Sequence, residues 1–177
     1  MTITFKQRAS RGFTLIELLI VVIILAILAA IAIPQFSAST NDAQSAARDS
    51  NLATVRSALE LYKVQHKDNA YPGKNASAAA AGCTGGDVVT GAVGEVAMKA
   101  QLMYYTDADG NACKVSTTNH KFGPYLRQGI PVEPVSNVPT VTVSTTGAAA
   151  PVTTGWSYST VTGEFNAPPS ATPATGS

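Results

Sequence analysis

Charge is scarce in this chain. Lysine, arginine, aspartate and glutamate make up 13% of its 177 residues, about half the share of an ordinary soluble domain. The formal net charge of +1 argues against the broad electrostatic grip on phosphates that drives nonspecific nucleic-acid binding. Histidine is sparser still. His66 and His120 have no cysteine or acid at zinc-ligand spacing, so both read as surface histidines. A glycine-rich phosphate loop and a nucleophile elbow are both missing, which removes the commonest nucleotide and acyl-transfer chemistries. No residue set points to catalysis or to a resident cofactor.

One acidic stretch invites a metal. Asp107-Ala108-Asp109-Gly110-Asn111 superficially resembles part of a calcium loop. Aligned on Gly110, a full EF-hand would need an oxygen ligand at Tyr105 and an acid at Ser116, and it has neither. A polar turn is the expectation, with calcium left open only through another geometry. Lys63 and Lys67, four apart, read as a solvated helix face. Trp156, Tyr158 and Phe165 suit sheet and core packing more than a ligand platform.

What the chain has is one long apolar run. Residues 18–33 contain no polar side chain. The stretch 13–33 is 21 residues, roughly 31 Å as a helix, which matches the hydrocarbon core of a bilayer at about 30 Å. Glu17 interrupts it, and an acid at membrane depth is costly unless it has a partner and a purpose. Lys6, Arg8 and Arg11 flank its N-terminal side, and beyond it no charge appears before Asp42. The positive-inside rule then sets a single pass with the N-terminus in the cytoplasm. Ala29-Ala30-Ile31-Ala32 imitates a signal cleavage site, but the run is too long for a secretory signal and reads as retained.

Pro34 ends or kinks the apolar helix. Helical character resumes, because Leu52, Val55, Leu59 and Tyr62 fall on one face, until Asn69-Ala70-Tyr71-Pro72-Gly73 stops it. Residues 73–91 read as a loop, 93–105 as a short helix or a helix followed by a strand, and 121–134 as an ordered loop. Val141 and Val143 signal a strand, and Trp156-Ser157-Tyr158 with Glu164-Phe165-Asn166 a hairpin. Cys83 and Cys113 are expected to pair if this part is exported, and to remain thiols if it stays in the cytosol. Asn75-Ala76-Ser77 fits the N-glycosylation pattern, a triplet that often goes unused. The fold expected is α+β: a long helix with a transmembrane first half, its second half packed against a small antiparallel sheet.

Gly12-Phe13-Thr14-Leu15-Ile16-Glu17-Leu18, with the basic leader before it and Pro34 after it, resembles the processing motif of type IV prepilins and type II secretion pseudopilins. The likeness is strong over residues 6–36. It is weaker at Gly123-Pro124-Tyr125-Leu126, Ile130-Pro131, Pro134, Gly155-Trp156-Ser157-Tyr158 and Thr162-Gly163-Glu164-Phe165, and the middle of the chain, 70–120, matches nothing. The resemblance implies a type IV pilin-like fold divided into a cleaved leader 1–12, a membrane and filament-core helix 13–33, an amphipathic helix 34–68, a head 69–167 and a disordered tail 168–177. It implies cleavage between Gly12 and Phe13 by prepilin peptidase, N-methylation of Phe13, and assembly through Glu17 and Pro34. The implied partners are further copies of the chain, an inner-membrane platform protein and an assembly ATPase. The implied destination is a pilus outside the cell or a periplasmic pseudopilus. A membrane-anchored binding domain that never polymerises is the alternative of another class.

Overall fold

The computed structural model describes residues 13–79 and 81–169, and of 31–38 the backbone alone. The leader with Gly12, and residues 170–177 of the expected tail, lie outside the described residues. The chain forms two compact units, Met1–Asp42 and Ala43–Ser177.

Helix α1 is Leu15–Gln65. The backbone of Pro34 lies within it, and the side chain of Pro34 is outside the described residues. Among the described residues no helix is long and apolar enough to cross a membrane. The part of α1 before residue 31, residues 15–30 with Glu17 among them, counts 16 residues, where a span takes about 20.

In the second unit α1 buries Val55, Ala58, Leu59 and Tyr62, spaced by three and four as one helix face requires. It stops at Gln65, three residues earlier than expected. His66 turns extended (φ −109°, ψ 157°), and the Lys67 amide donates to Ala108 O at 3.0 Å instead of continuing the helix. Asp68 and Asn69 then take left-handed φ of 59° and 47°, a conformation that short polar side chains tolerate.

The head carries two three-stranded sheets. The first sets β3 (Ala112–Cys113) between β1 (Val88–Val89) and β2 (Tyr105–Thr106), all antiparallel. Helix α2 (Glu95–Met103) immediately precedes β2. The second sheet holds β4 (Val141–Ser144), β5 (Trp156–Ser159) and β6 (Phe165–Asn166) in that order. The expected hairpin is β5–β6, with Tyr158 opposite Phe165. An all-antiparallel sheet is corrected here, because β4 runs parallel to β5 from Val141↔Trp156 to Ser144↔Ser159. The eleven residues 145–155 are long enough to carry the chain back to the same end.

Trp156, Tyr158 and Phe165 are fully buried against Leu59, Met98 and Leu102. Burial of each such side chain contributes about 1.5–3 kcal/mol. Their polar ends are satisfied too: Trp156 Nε1 donates to Pro131 O (2.7 Å) and Tyr158 Oη to Pro72 O (2.8 Å). Arg56 holds β6 to α1 by donating Nε and Nη2 to Phe165 O at 3.0 and 2.8 Å.

Cys83 and Cys113 form a disulfide with Cα atoms 5.9 Å apart, closing a loop of sequence separation 30. It staples the expected loop to β3. Replacing both cysteines with serine is expected to lower stability by about 3 kcal/mol in the chain-entropy account. In calorimetry that corresponds to a Tm lower by on the order of 10 °C.

Candidate functional site

The start of α1 is built by two residues. Thr14 is the N-cap and Glu17 the third helical position. The Glu17 amide donates to Thr14 Oγ1 (3.3 Å), while Glu17 Oε2 accepts from the Thr14 amide (3.0 Å) and the Thr14 hydroxyl (2.8 Å). This is a capping box, in which two orphan amides of the helix start are satisfied reciprocally. A carboxylate at this place also meets the positive end of the helix dipole.

One oxygen of Glu17 is thereby committed within the chain. For Oε1 no hydrogen-bond partner occurs among the described residues, and no ion pair there involves Glu17. Around it stand Phe13 and Leu15, each more than four-fifths exposed, and from Leu18 to Leu28 every large apolar side chain is about half exposed. The site is thus a half-satisfied carboxylate set in an uncovered apolar helix.

Thr14 has a sequence signal of its own: Thr-x-x-Glu ahead of an apolar run is the signature of a capping box, and here it lies inside the stretch 13–33 that reads as one membrane segment. Gly12 lies outside the described residues, and Phe13 is the first described side chain.

The remaining candidates fall elsewhere. Asp107 spends its carboxylate on its own turn: Oδ1 accepts from the amides of Asp109 and Asn111, and Oδ2 from Asn111 Nδ2, each at 2.9 Å. Asp109 pairs with Lys67 Nζ at 2.6 Å. No group of three or more His, Cys, Asp or Glu side chains able to hold a metal occurs among the described residues. The Lys63–Lys67 face is less free than expected, since Lys63 Nζ donates to Tyr71 Oη (3.0 Å) and lies over its ring.

Both histidines correct the surface reading. His66 is 7% exposed and His120 fully buried. His66 stacks on Tyr62 with ring centroids 3.7 Å apart, and burial pushes its pKa below the ordinary histidine value. His120 Nδ1 meets the Thr117 hydroxyl at 2.9 Å, and its Nε2 is buried with no hydrogen-bond partner among the described residues. Glu133 is fully buried as well. Burial pushes its carboxyl up, but bonds from the Ser136 hydroxyl and the Ser136 and Val135 amides outweigh that and hold it low. The sequon serine is also occupied: buried Ser77 donates to Val89 O (2.6 Å) and accepts from the Ala112 amide (2.9 Å).

Comparison with known proteins bears on the helix start. Residues 7–33 match the family model described as the prokaryotic N-terminal methylation motif. The chain carries that motif. It is 50% identical over 58 residues to the type IV narrow pilus major component PilA5 of Thermus thermophilus, covering 33% of this chain and 50% of that one. It is 40% identical over 68 residues to the type II secretion system core protein G of Pseudomonas aeruginosa, covering 38% and 46%. A fimbrial protein of Pseudomonas aeruginosa is 44% identical over 62 residues, covering 35% and 40%. The chain thus spans about half or less of the length of these relatives. No solved structure matches it.

Proposed function

We propose that this chain is a structural subunit of a type IV pilus, anchored in the inner membrane by residues 13–33 and polymerised through the same helix. The observation that carries this reading is the uncovered apolar start of α1 with Glu17 half-satisfied inside it. An exposed apolar helix needs lipid or other copies of itself as cover.

Before cleavage, the three leader cations hold the N-terminus on the cytoplasmic side. A peptidase cutting between Gly12 and Phe13 meets no side chain on the glycine. It removes the cations and creates a new amine, which is then methylated on Phe13. Glu17 Oε1, left open by the capping box, accepts that amine from a neighbouring subunit. Each charge alone would be expensive in an apolar bundle, and together they compensate. Subunits in the wrong register leave the acid unpaired, so the carboxylate selects register. A platform protein and a cytoplasmic ATPase supply the lift out of the bilayer.

The reading is tested by mass spectrometry of the processed chain. An N-methylated Phe13 terminus is expected, whereas a terminus at Thr2 or after Ala32 overturns it. The match to a type II secretion core protein G favours a pseudopilus as the second reading. Electron microscopy of sheared surface material separates the two, since only a pilus yields long extracellular fibres.

A further inference from the structure

The end of α1 meets the disulfide-bearing sheet at His66. Its Nδ1 lies 2.7 Å from Tyr62 O and its Nε2 2.9 Å from Thr106 Oγ1 in β2. A carbonyl only accepts, so Nδ1 carries the hydrogen and Nε2 of the neutral ring accepts from the Thr106 hydroxyl. Phe122 and Tyr125 close the other sides, with ring centroids 5.4 and 6.2 Å away. The joint has three further ties: Tyr125 Oη donates to Gln65 Oε1 (2.6 Å), Lys67 N to Ala108 O (3.0 Å) and Lys67 Nζ to Asp109 (2.6 Å). A cavity of about 260 Å³, lined in part by Tyr62, His66, Lys67 and Asp109, lies beside it.

We propose that His66 is an acid-operated latch between α1 and the sheet β1–β3–β2: the neutral ring holds the joint closed, and protonation loosens it. A charged ring turns Nε2 into a donor, so the Thr106 hydroxyl must turn to accept from it, and its own hydrogen, buried with Thr106, must find another acceptor. The added charge sits in a site that is 7% exposed. The titratable and charged groups around it are Tyr62, Lys67 and Asp68 from α1 and the residues after it, Asp107 and Asp109 from the 107–111 turn, and Tyr125 from the 121–126 segment. Asp107 favours the imidazolium, but its carboxylate is held by its own turn, and Asp109 is neutralised by Lys67. Burial prevails over the backbone hydrogen bonds at Tyr62 and Asp107 and over the Asp107 charge, and favours the neutral ring.

The sign follows from linkage. A histidine whose folded pKa is depressed contributes stability that is fully present above its unfolded pKa of about 6.5. That stability is lost as the pH falls from there towards the folded pKa, by up to about tenfold in the opening constant per pH unit. The latch operates in mildly acid surroundings, and it concerns the head irrespective of the kind of filament the chain builds.

The test is hydrogen exchange and histidine NMR on the full-length chain in detergent micelles, from pH 7.5 to 5. The amides of Thr106 and Phe122, which bond each other's carbonyls, report the joint, and those of Ser157 and Tyr158 in β5 serve as reference. After correction for intrinsic exchange, the joint amides are expected to open up to about tenfold more per pH unit below 6.5, with the reference amides flat. In His66→Gln that slope is expected to vanish, and in His120→Gln to persist. A His66 ring that titrates at or above 6.5 overturns the proposal, as does an unchanged slope in His66→Gln or an equal slope at the reference amides. If His66→Gln fails to fold, the ring titration and amide slopes of the unaltered chain decide the matter.

Discussion

Replacing Glu17 with alanine is expected to abolish fibres in sheared material while the chain still inserts and its head still folds. The second unit begins at Ala43 and its buried helix face at Val55, so near-ultraviolet circular dichroism and the Cys83–Cys113 disulfide should be unchanged. Assembly suffers because the variant leaves the neighbour's Phe13 amine unpaired in an apolar bundle. Removing one partner of a buried charge pair costs about 3–5 kcal/mol, or roughly two to four powers of ten in the association constant of each contact. Glu17→Gln keeps an acceptor for Thr14 but no charge, and should assemble poorly. Thr14→Ala is the informative contrast: it loses only the cap, about 0.5–2 kcal/mol, and leaves the carboxylate to its partner. Fibres should persist there at reduced yield. If Glu17→Ala yields fibres at the unaltered level, the filament reading fails and the non-polymerising anchored domain takes its place.

The helical half of this molecule was legible because its signals are local. Leu52, Val55, Leu59 and Tyr62 lie on the core side of α1 as their spacing dictates, and the β5–β6 hairpin sits where alternation placed it. The misses share a physical cause, which is distance along the chain. Helix α1 stops at Gln65 because His66 and Lys67 find partners at Thr106 and Ala108, some 40 residues away. Strands β1 and β3 have two residues each, too few for any alternation to show, and Ser77 and the disulfide hold them from outside. The parallel pairing of β4 with β5 is set by the length of residues 145–155, and periodicity carries no strand direction. The histidines looked like surface residues because polar residues surround them in sequence, while their burial comes from the fold. Only Thr14 and Gln101 left readable signals: a capping-box spacing, and a polar side chain on the helix face of Ala97, Met98 and Leu102.

Gln101 is therefore where the largest loss of head stability is expected. It is 1% exposed, and its amide joins α2 to two other segments. Oε1 accepts from the Gly73 amide at 2.6 Å, and Nε2 donates to Asn75 O at 3.1 Å and to Gly110 O at 3.0 Å. Gly110 has φ +88°, and a Cβ there would lie 2.6 Å from Tyr62 Oη and 3.1 Å from Gln101 Nε2. The 107–111 turn thus lies so close to the amide that only glycine fits at this position. Gln101→Leu keeps the volume and strands the buried Gly73 donor and Gly110 acceptor, each costing about 1–3 kcal/mol without a partner, while exposed Asn75 can turn its carbonyl to water. Relaxation recovers some of this, and the net loss should be about 3–5 kcal/mol, a large fraction of the total for a domain of this size. Thermal unfolding followed by circular dichroism should show a Tm lower by on the order of 10–15 °C. Gln101→Glu separates hydrogen bonding from shape. It retains an acceptor for Gly73 but sets a carboxylate against two carbonyls, so at neutral pH it should be at least as damaging as leucine. On acidification the protonated acid regains one donor, and its deficit relative to the unaltered chain should shrink. A Gln101→Leu variant that melts within about 2 °C of the unaltered chain, roughly 1 kcal/mol or less, would show that these three bonds contribute little and that packing alone holds the joint.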